Sequence, residues 1–207
     1  MADHPQYKNI ALLLLAALLL ILLGWGGGAG QPLDVAVIRH FVDWRTAHPQ
    51  AEGVIILLTY VGSAETLLAA TALGAAWLWW RSKRRRMTGL LVTVLGGRLA
   101  IELLKLIVHR PRPNLDAHPV PVFSQSFPSG HAGNTMLTFL ALALYLAPPR
   151  WRAPAVGAAV AGSLAIGATR PVLGVHWPSD VLGGWIFGAA FVSLLWATFY
   201  RWPRSAA

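Results

Sequence analysis

The chain contains no cysteine, which excludes a disulfide framework, a thiolate metal site and a cysteine nucleophile. Charge is also scarce: Asp, Glu, Lys and Arg make up 12% of the 207 residues, about half the share of an ordinary soluble domain. Acidic residues are the rarer kind, 8 against 17 Lys and Arg, and they form no carboxylate cluster suited to Mg²⁺ or Zn²⁺. No repeat or low-complexity tract divides the sequence, so a single domain over residues 1–207 is the simplest organisation. The formal net charge of +9 does not indicate a nucleic-acid surface, because the basic residues sit in short clusters between apolar runs rather than along an exposed face interleaved with aromatics.

What the chain does have is apolar sequence, 56% of its residues. This predicts an all-α, polytopic membrane protein with six transmembrane helices. The first run, about 10–30, is long enough at ~1.5 Å per residue to cross a hydrocarbon core of ~30 Å. It exceeds the apolar region of a signal peptide and further spans follow, so it reads as a retained anchor. Further spans are expected at about 54–80, 88–109, 131–147, 153–168 and 178–200, with the start of the second blurred by Tyr60-Val61-Gly62-Ser63. Between the first two, Val37, Ile38, Phe41 and Val42 recur at helical spacing, and residues 33–45 read as a helix lying in the interface plane. Pro111 and Pro113 stop the third span, leaving 110–130 as a polar loop.

Alternating the spans puts Lys8, the Arg81–Arg86 cluster, Arg150, Arg152, Arg201 and Arg204 on one face, which the positive-inside rule assigns to the cytoplasm. The expectation is a bacterial inner membrane with both termini cytoplasmic. Lys105, Arg110, Arg112 and Arg170 fall on the opposite face, where cations are disfavoured, and an anion there would account for them. The Trp residues near span ends, Trp25, Trp77, Trp79, Trp80, Trp177 and Trp202, read as interface anchors.

Three segments meet at that outer face. Lys105 lies one turn inside a helix end and Arg112 just past it, offering a mobile point charge and a planar fork to a phosphoryl group; snorkelling cations would look similar. Pro128-Ser129-Gly130-His131 opens the fourth span with a hydroxyl, exposed N–H groups and the positive end of a helix dipole. A simple helix cap has the same composition. In Thr169-Arg170-Pro-Val-Leu-Gly-Val-His176-Trp-Pro-Ser-Asp180, Pro178 fits the first helical position. Asp180 can then fold back on His176, fixing its tautomer and leaving the other ring nitrogen to act as a nucleophile. An Asp cap beside an interfacial His is the plainer alternative. Arg98 and Glu102, four apart in the third span, are expected to pair with each other. Glu65, Arg110 and Asp116 read first as solvated or interfacial residues.

Together these segments resemble the three signature motifs of the type 2 phosphatidic acid phosphatase family, which shares its core with vanadium haloperoxidases and glucose-6-phosphatase. K-x6-RP is matched by Lys105, Arg112 and Pro113, PSGH by residues 128–131, and SR-x5-H-x3-D by Arg170, His176 and Asp180, with Thr169 in place of the serine. The resemblance implies a helical bundle of that core. It implies hydrolysis of a lipid phosphate or diphosphate (phosphatidic acid, phosphatidylglycerol phosphate or undecaprenyl pyrophosphate) through a phosphohistidine on His176, oriented by Asp180. His131 would protonate the leaving oxygen and then deprotonate water. Lys105, Arg112, Ser129, Gly130 and Arg170 would hold the phosphate oxygens, with no metal and no cofactor. The implied partners are the lipid substrate and the bilayer; oligomeric state is not legible. The runner-up is a lipid phosphotransferase using the same phosphohistidine. A vanadate-dependent haloperoxidase fits poorly with so apolar a chain, and a non-enzymatic scaffold or transporter leaves the catalytic set unexplained.

Overall fold

The computed structural model describes residues 31–201 and Leu19; the expected first span at 10–30 otherwise lies outside the described residues, as do Lys8, Trp202 and Arg204. Seven helices and no strand occur among them: α1 (Pro32–Ala47), α2 (Pro49–Val61), α3 (Ala64–Trp80), α4 (Arg84–Val108), α5 (Gly130–Leu146), α6 (Pro149–Val172) and α7 (Pro178–Arg201). Their starts follow local chemistry. Proline occupies the first turn of α1, α2 and α6, where its missing N–H has no intrahelical partner to lose. Serine caps two others: Ser63 Oγ accepts from Thr66 N at 3.3 Å to open α3, and Ser129 Oγ accepts from Ala132 N at 3.5 Å to open α5.

The structure adjusts several expected boundaries. The span at 54–80 is two helices, α2 and α3, bent by 40° at Gly62-Ser63. The basic run that should close it lies partly in the next element, since Arg84, Arg85 and Arg86 form the first turn of α4. The helix expected at 153–168 extends to 149–172, which places Arg170 in a helical last turn rather than a loop. By length and apolar composition two described helices can cross a membrane, α6 and α7 as far as Phe199, or three if the bent α2–α3 pair is one span. At 17 residues and ~1.5 Å per residue, α5 falls somewhat short of the ~30 Å hydrocarbon core.

Helix α5 is central, packed between α4, α6 and α7. Small residues let the backbones approach: a Cβ on Gly184 would lie 2.7 Å from Ser129 O, and one on Gly188 2.7 Å from Gly133 O. Apolar packing fills one end with Leu78, Leu90, Val94, Ala141 and Tyr145, and the middle with Met136, Leu137, Leu140, Ala159 and Val192. The polarity is inverted relative to a water-soluble protein. Leu57, Leu73, Leu99, Leu106 and Ile107 are exposed, whereas Lys105, Arg110, Arg170, His176 and Asp180 are buried. Such a surface suits lipid, and the chain is an integral membrane protein.

Candidate active site

Four helix ends converge: the C-terminal ends of α4 and α6 and the N-terminal ends of α5 and α7. Lys105 occupies the last turn of α4, and the chain leaves that helix through His109 in the left-handed conformation (φ 51°). The turn sends the following strand of loop back over the bundle. Lys105 Nζ donates to Ser124 Oγ at 2.9 Å, and Arg112 Nε to Ser124 O at 2.7 Å, so one loop serine gathers both cations of the first motif.

The second motif is tied to the third by backbone, Ser129 N donating to Asp180 O at 2.9 Å. Gly130 lies against the first motif, for a Cβ there would stand 3.2 Å from Lys105 Nζ. His131 follows in the first turn of α5, beside the α2–α3 break: a Cβ on Gly62 would be 3.2 Å from its Cδ2. Arg170 donates from one terminal nitrogen to Thr59 Oγ1 at 2.7 Å, and its Nε is buried with no protein acceptor. Thr169, where the family pattern has serine, spends its hydroxyl on Ile166 O of its own helix at 2.6 Å.

His176 sits in the link between α6 and α7 and is 2% exposed. Its Nδ1 lies 3.5 Å from Asp180 Oδ2 and 3.4 Å from Ser126 Oγ, and Ser126 Oγ donates to the same carboxylate oxygen. Arg112 donates from one terminal nitrogen to His176 Nε2 at 3.0 Å and to Val175 O at 2.8 Å. A guanidinium has only donors, so Nε2 is the acceptor and the ring proton belongs on Nδ1, facing Asp180. Burial, and after it the charges of Arg112, Arg170, Lys105 and His131, hold the His176 imidazole well below its ordinary pKa. The ring is therefore a neutral base with its lone pair directed at a cationic cluster, the state a nucleophile toward phosphorus requires.

The comparison with known sequences decides the family: the PAP2 superfamily matches residues 87–204, over half of the chain. The chain belongs to the PAP2 superfamily. This PAP2 chain is 36% identical over 163 residues to the lipid A 1-phosphatase of Rhizobium etli, covering 71% of this chain and 63% of that protein, so it spans just under two thirds of that relative's length. It is 31% identical over 189 residues to phosphatidylglycerophosphatase B of Bacillus subtilis, covering 88% of this chain and 90% of the relative. Among solved structures it is similar to a transmembrane PAP2-type phosphatidylglycerolphosphate phosphatase from Bacillus subtilis, with a TM-score of 0.83 and 28% identity over 97% of this chain and 100% of that one. The PAP2 resemblance read from the three motifs is thereby established.

Every motif residue singled out from the PAP2 pattern falls in this region, but several of its supports were not anticipated. Arg110, expected to be solvated, is 2% exposed and bridges two carboxylates, Asp180 Oδ1 at 2.6 Å and Asp34 Oδ2 at 2.9 Å. Asp34, from α1, also accepts from Ser179 N at 3.0 Å and Ser179 Oγ at 2.5 Å. Asp116 does not reach the phosphate site; it pairs with Arg45 at 2.7 Å. Glu65 is exposed, as expected. Arg98 and Glu102 do not pair: Glu102 turns instead to Lys105 at 3.6 Å. The signal for Arg110 was present, since a cation on the disfavoured face needs an anion, but nothing in the local pattern named Asp34 as that partner.

Proposed function

We propose that this chain hydrolyses the phosphate of a membrane lipid phosphate or diphosphate through a phosphohistidine on His176, without a metal. The coarse class, a membrane lipid phosphatase, comes with the family; the mechanism rests on the site. His176 Nε2 would attack phosphorus, forming the N–P bond as the bond to the lipid oxygen breaks, while His131 gives that oxygen its proton. Water would then attack the phosphoenzyme, passing a proton back to His131 as the N–P bond breaks. Asp180 would hold the Nδ1 proton and stabilise the imidazolium character that develops.

Lys105, Arg112 and Arg170, with the N–H groups at Ser129 and Gly130, would bind the equatorial oxygens, where transition-state charge collects. In that role Arg112 exchanges its bond to Nε2 for bonds to phosphate oxygens, uncovering the nucleophile only when substrate is bound. The observation that carries this reading is the pair of contacts on one buried ring, Asp180 at Nδ1 and Arg112 at Nε2. The named relatives favour substrates with a phosphate at the membrane surface, a lipid A 1-phosphate or phosphatidylglycerol phosphate; undecaprenyl pyrophosphate is the prenyl alternative. We further propose one domain crossing the bacterial inner membrane six times, with the site on the extracytoplasmic side.

The test is phosphate release from these lipids in detergent with EDTA present, together with rapid quenching to trap phosphoenzyme. Release without an added acceptor, and an acid-labile phosphoenzyme lost in His176→Ala, are the expected results. Loss of activity in EDTA, or transfer only to a second lipid, would refute hydrolysis of this kind.

A further inference from the structure

Arg98 lies in α4 seven residues before Lys105, about 10 Å further from the helix end at ~1.5 Å per residue. It thus sits below the phosphate site, toward the middle of the helix. One terminal nitrogen of its guanidinium is shielded from solvent and has no hydrogen-bond acceptor. Among the described residues no carboxylate lies within ion-pair distance of it, because Glu102 has turned to Lys105. A charged donor shielded from solvent and left without an acceptor is costly, and more so at the depth the proposed six-span arrangement gives this part of α4. An acceptor on a bound molecule would satisfy it.

We propose that Arg98 binds substrate, donating to a carbonyl oxygen in the acyl linkage of the lipid whose phosphate rests on Lys105, Arg112 and Arg170. The inference builds on the lipid-phosphatase reading and adds a substrate class to it. Charge selects a neutral oxygen over a second phosphate: Glu65 and Glu102 both lie within electrostatic reach of Arg98 and offset its charge. Depth selects the linkage, because the ester or amide carbonyls of an acylated lipid lie on the hydrocarbon side of its phosphate. The neighbouring surface suits the chains, since α4 exposes Leu95, Leu99, Leu103 and Leu106. This region is also continuous with the site: Glu65 stands just past the Gly62-Ser63 break whose wall touches His131 and, through Thr59, Arg170. A prenyl diphosphate has no carbonyl and would leave Arg98 unsatisfied.

The experiment compares phosphate release from a diester phosphatidic acid and its dialkyl ether analogue of equal chain length, using wild type, Arg98→Leu and Arg98→Lys in detergent. The wild type is expected to favour the ester by about tenfold in kcat/KM, the scale of one hydrogen bond to a charged donor. In Arg98→Leu the ratio should fall toward one, and Arg98→Lys should retain part of it. Equal use of ester and ether by the wild type, or an unchanged ratio in Arg98→Leu, overturns the proposal. The wild-type ratio decides even if the leucine variant does not fold. Absence of phosphate release from every lipid would refute the phosphatase reading itself, and the inference with it.

Discussion

Asp180 is held on both oxygens, with Arg110 donating to Oδ1 and Ser126 and the Trp177 amide donating to Oδ2. Arg110 is in turn fixed from behind by Asp34, which also binds Ser179. In the proposed mechanism Asp180 orients His176 through a 3.5 Å contact, which is sensitive to small displacements, and Asp34 holds the cation that holds Asp180. Asp34→Asn keeps the shape and removes the charge. Its kcat should fall about tenfold, equivalent to ~1.4 kcal/mol of transition-state stabilisation, with KM nearly unchanged. A steady-state split showing the loss in KM alone would remove Asp34 from this role. The His176 environment gives a second expectation. Its pKa is depressed, so the neutral imidazole survives as pH falls through the ordinary imidazole range near ~6.5, and if it is the proposed nucleophile the acid limb it imposes on kcat/KM should lie below that range. Arg112→Gln removes the largest charge contribution and should move the limb upward, in addition to weakening substrate binding. Profiles of wild type and variant on the same substrate check the shift, since the titration of the substrate cancels between them.

The helix ends carry the site, and the glycines of α7 determine how closely those ends meet. Gly184 faces Ser129 O and Gly133 N, with a Cβ falling 2.7 and 2.8 Å from these backbone atoms, so neither neighbour can swing aside. Gly184→Ala should force α7 away from α5, cost about 1–3 kcal/mol as overpacking and raise KM by disturbing the Ser129–Gly130 turn. Gly157 in α6 has nothing within 4 Å, and Gly157→Ala should be neutral or stabilise by up to ~1 kcal/mol. Thermal unfolding of both variants in detergent checks the contrast, and equal effects would refute the packing argument. The same elements show what the sequence discloses. The helices and the three motifs were legible because apolar periodicity, Pro and Ser at helix starts, and fixed spacing are local signals. The α6 boundary was not: Arg170-Pro171 looks like a stop, yet a proline so near a helix end forfeits little, and the helix runs on to Val172. The unpaired state of Arg98 among the described residues and the partner of Arg110 were illegible for a different reason. Glu102 at i+4 satisfies the helical pairing rule for Arg98, but Lys105 competes for it, and Asp34 lies 76 residues from Arg110 in sequence.

Across the whole molecule the helix directions separate two faces. The turn between α3 and α4, with Arg81, Lys83 and the first turn of α4, and the turn between α5 and α6, with Arg150 and Arg152, lie at the end away from the site. The loop from His109 to Ser129 and the link holding His176 lie at the other. On the proposed topology the positive-inside rule would put the basic end in the cytoplasm and the site outward, where Asp34, Asp180 and Glu102 would balance part of its cationic charge internally and the rest would be left for the substrate anion. The absence of native cysteine makes this sidedness directly measurable. Phe123, in the long loop, is 94% exposed, and Arg81 is exposed at the basic end, so a single cysteine at either position has an otherwise silent background. In intact spheroplasts a membrane-impermeant maleimide should label Phe123→Cys and spare Arg81→Cys, and permeabilisation should make both reactive. Labelling of Arg81→Cys from outside, with Phe123→Cys protected, would invert the topology and place the phosphate site on the cytoplasmic side.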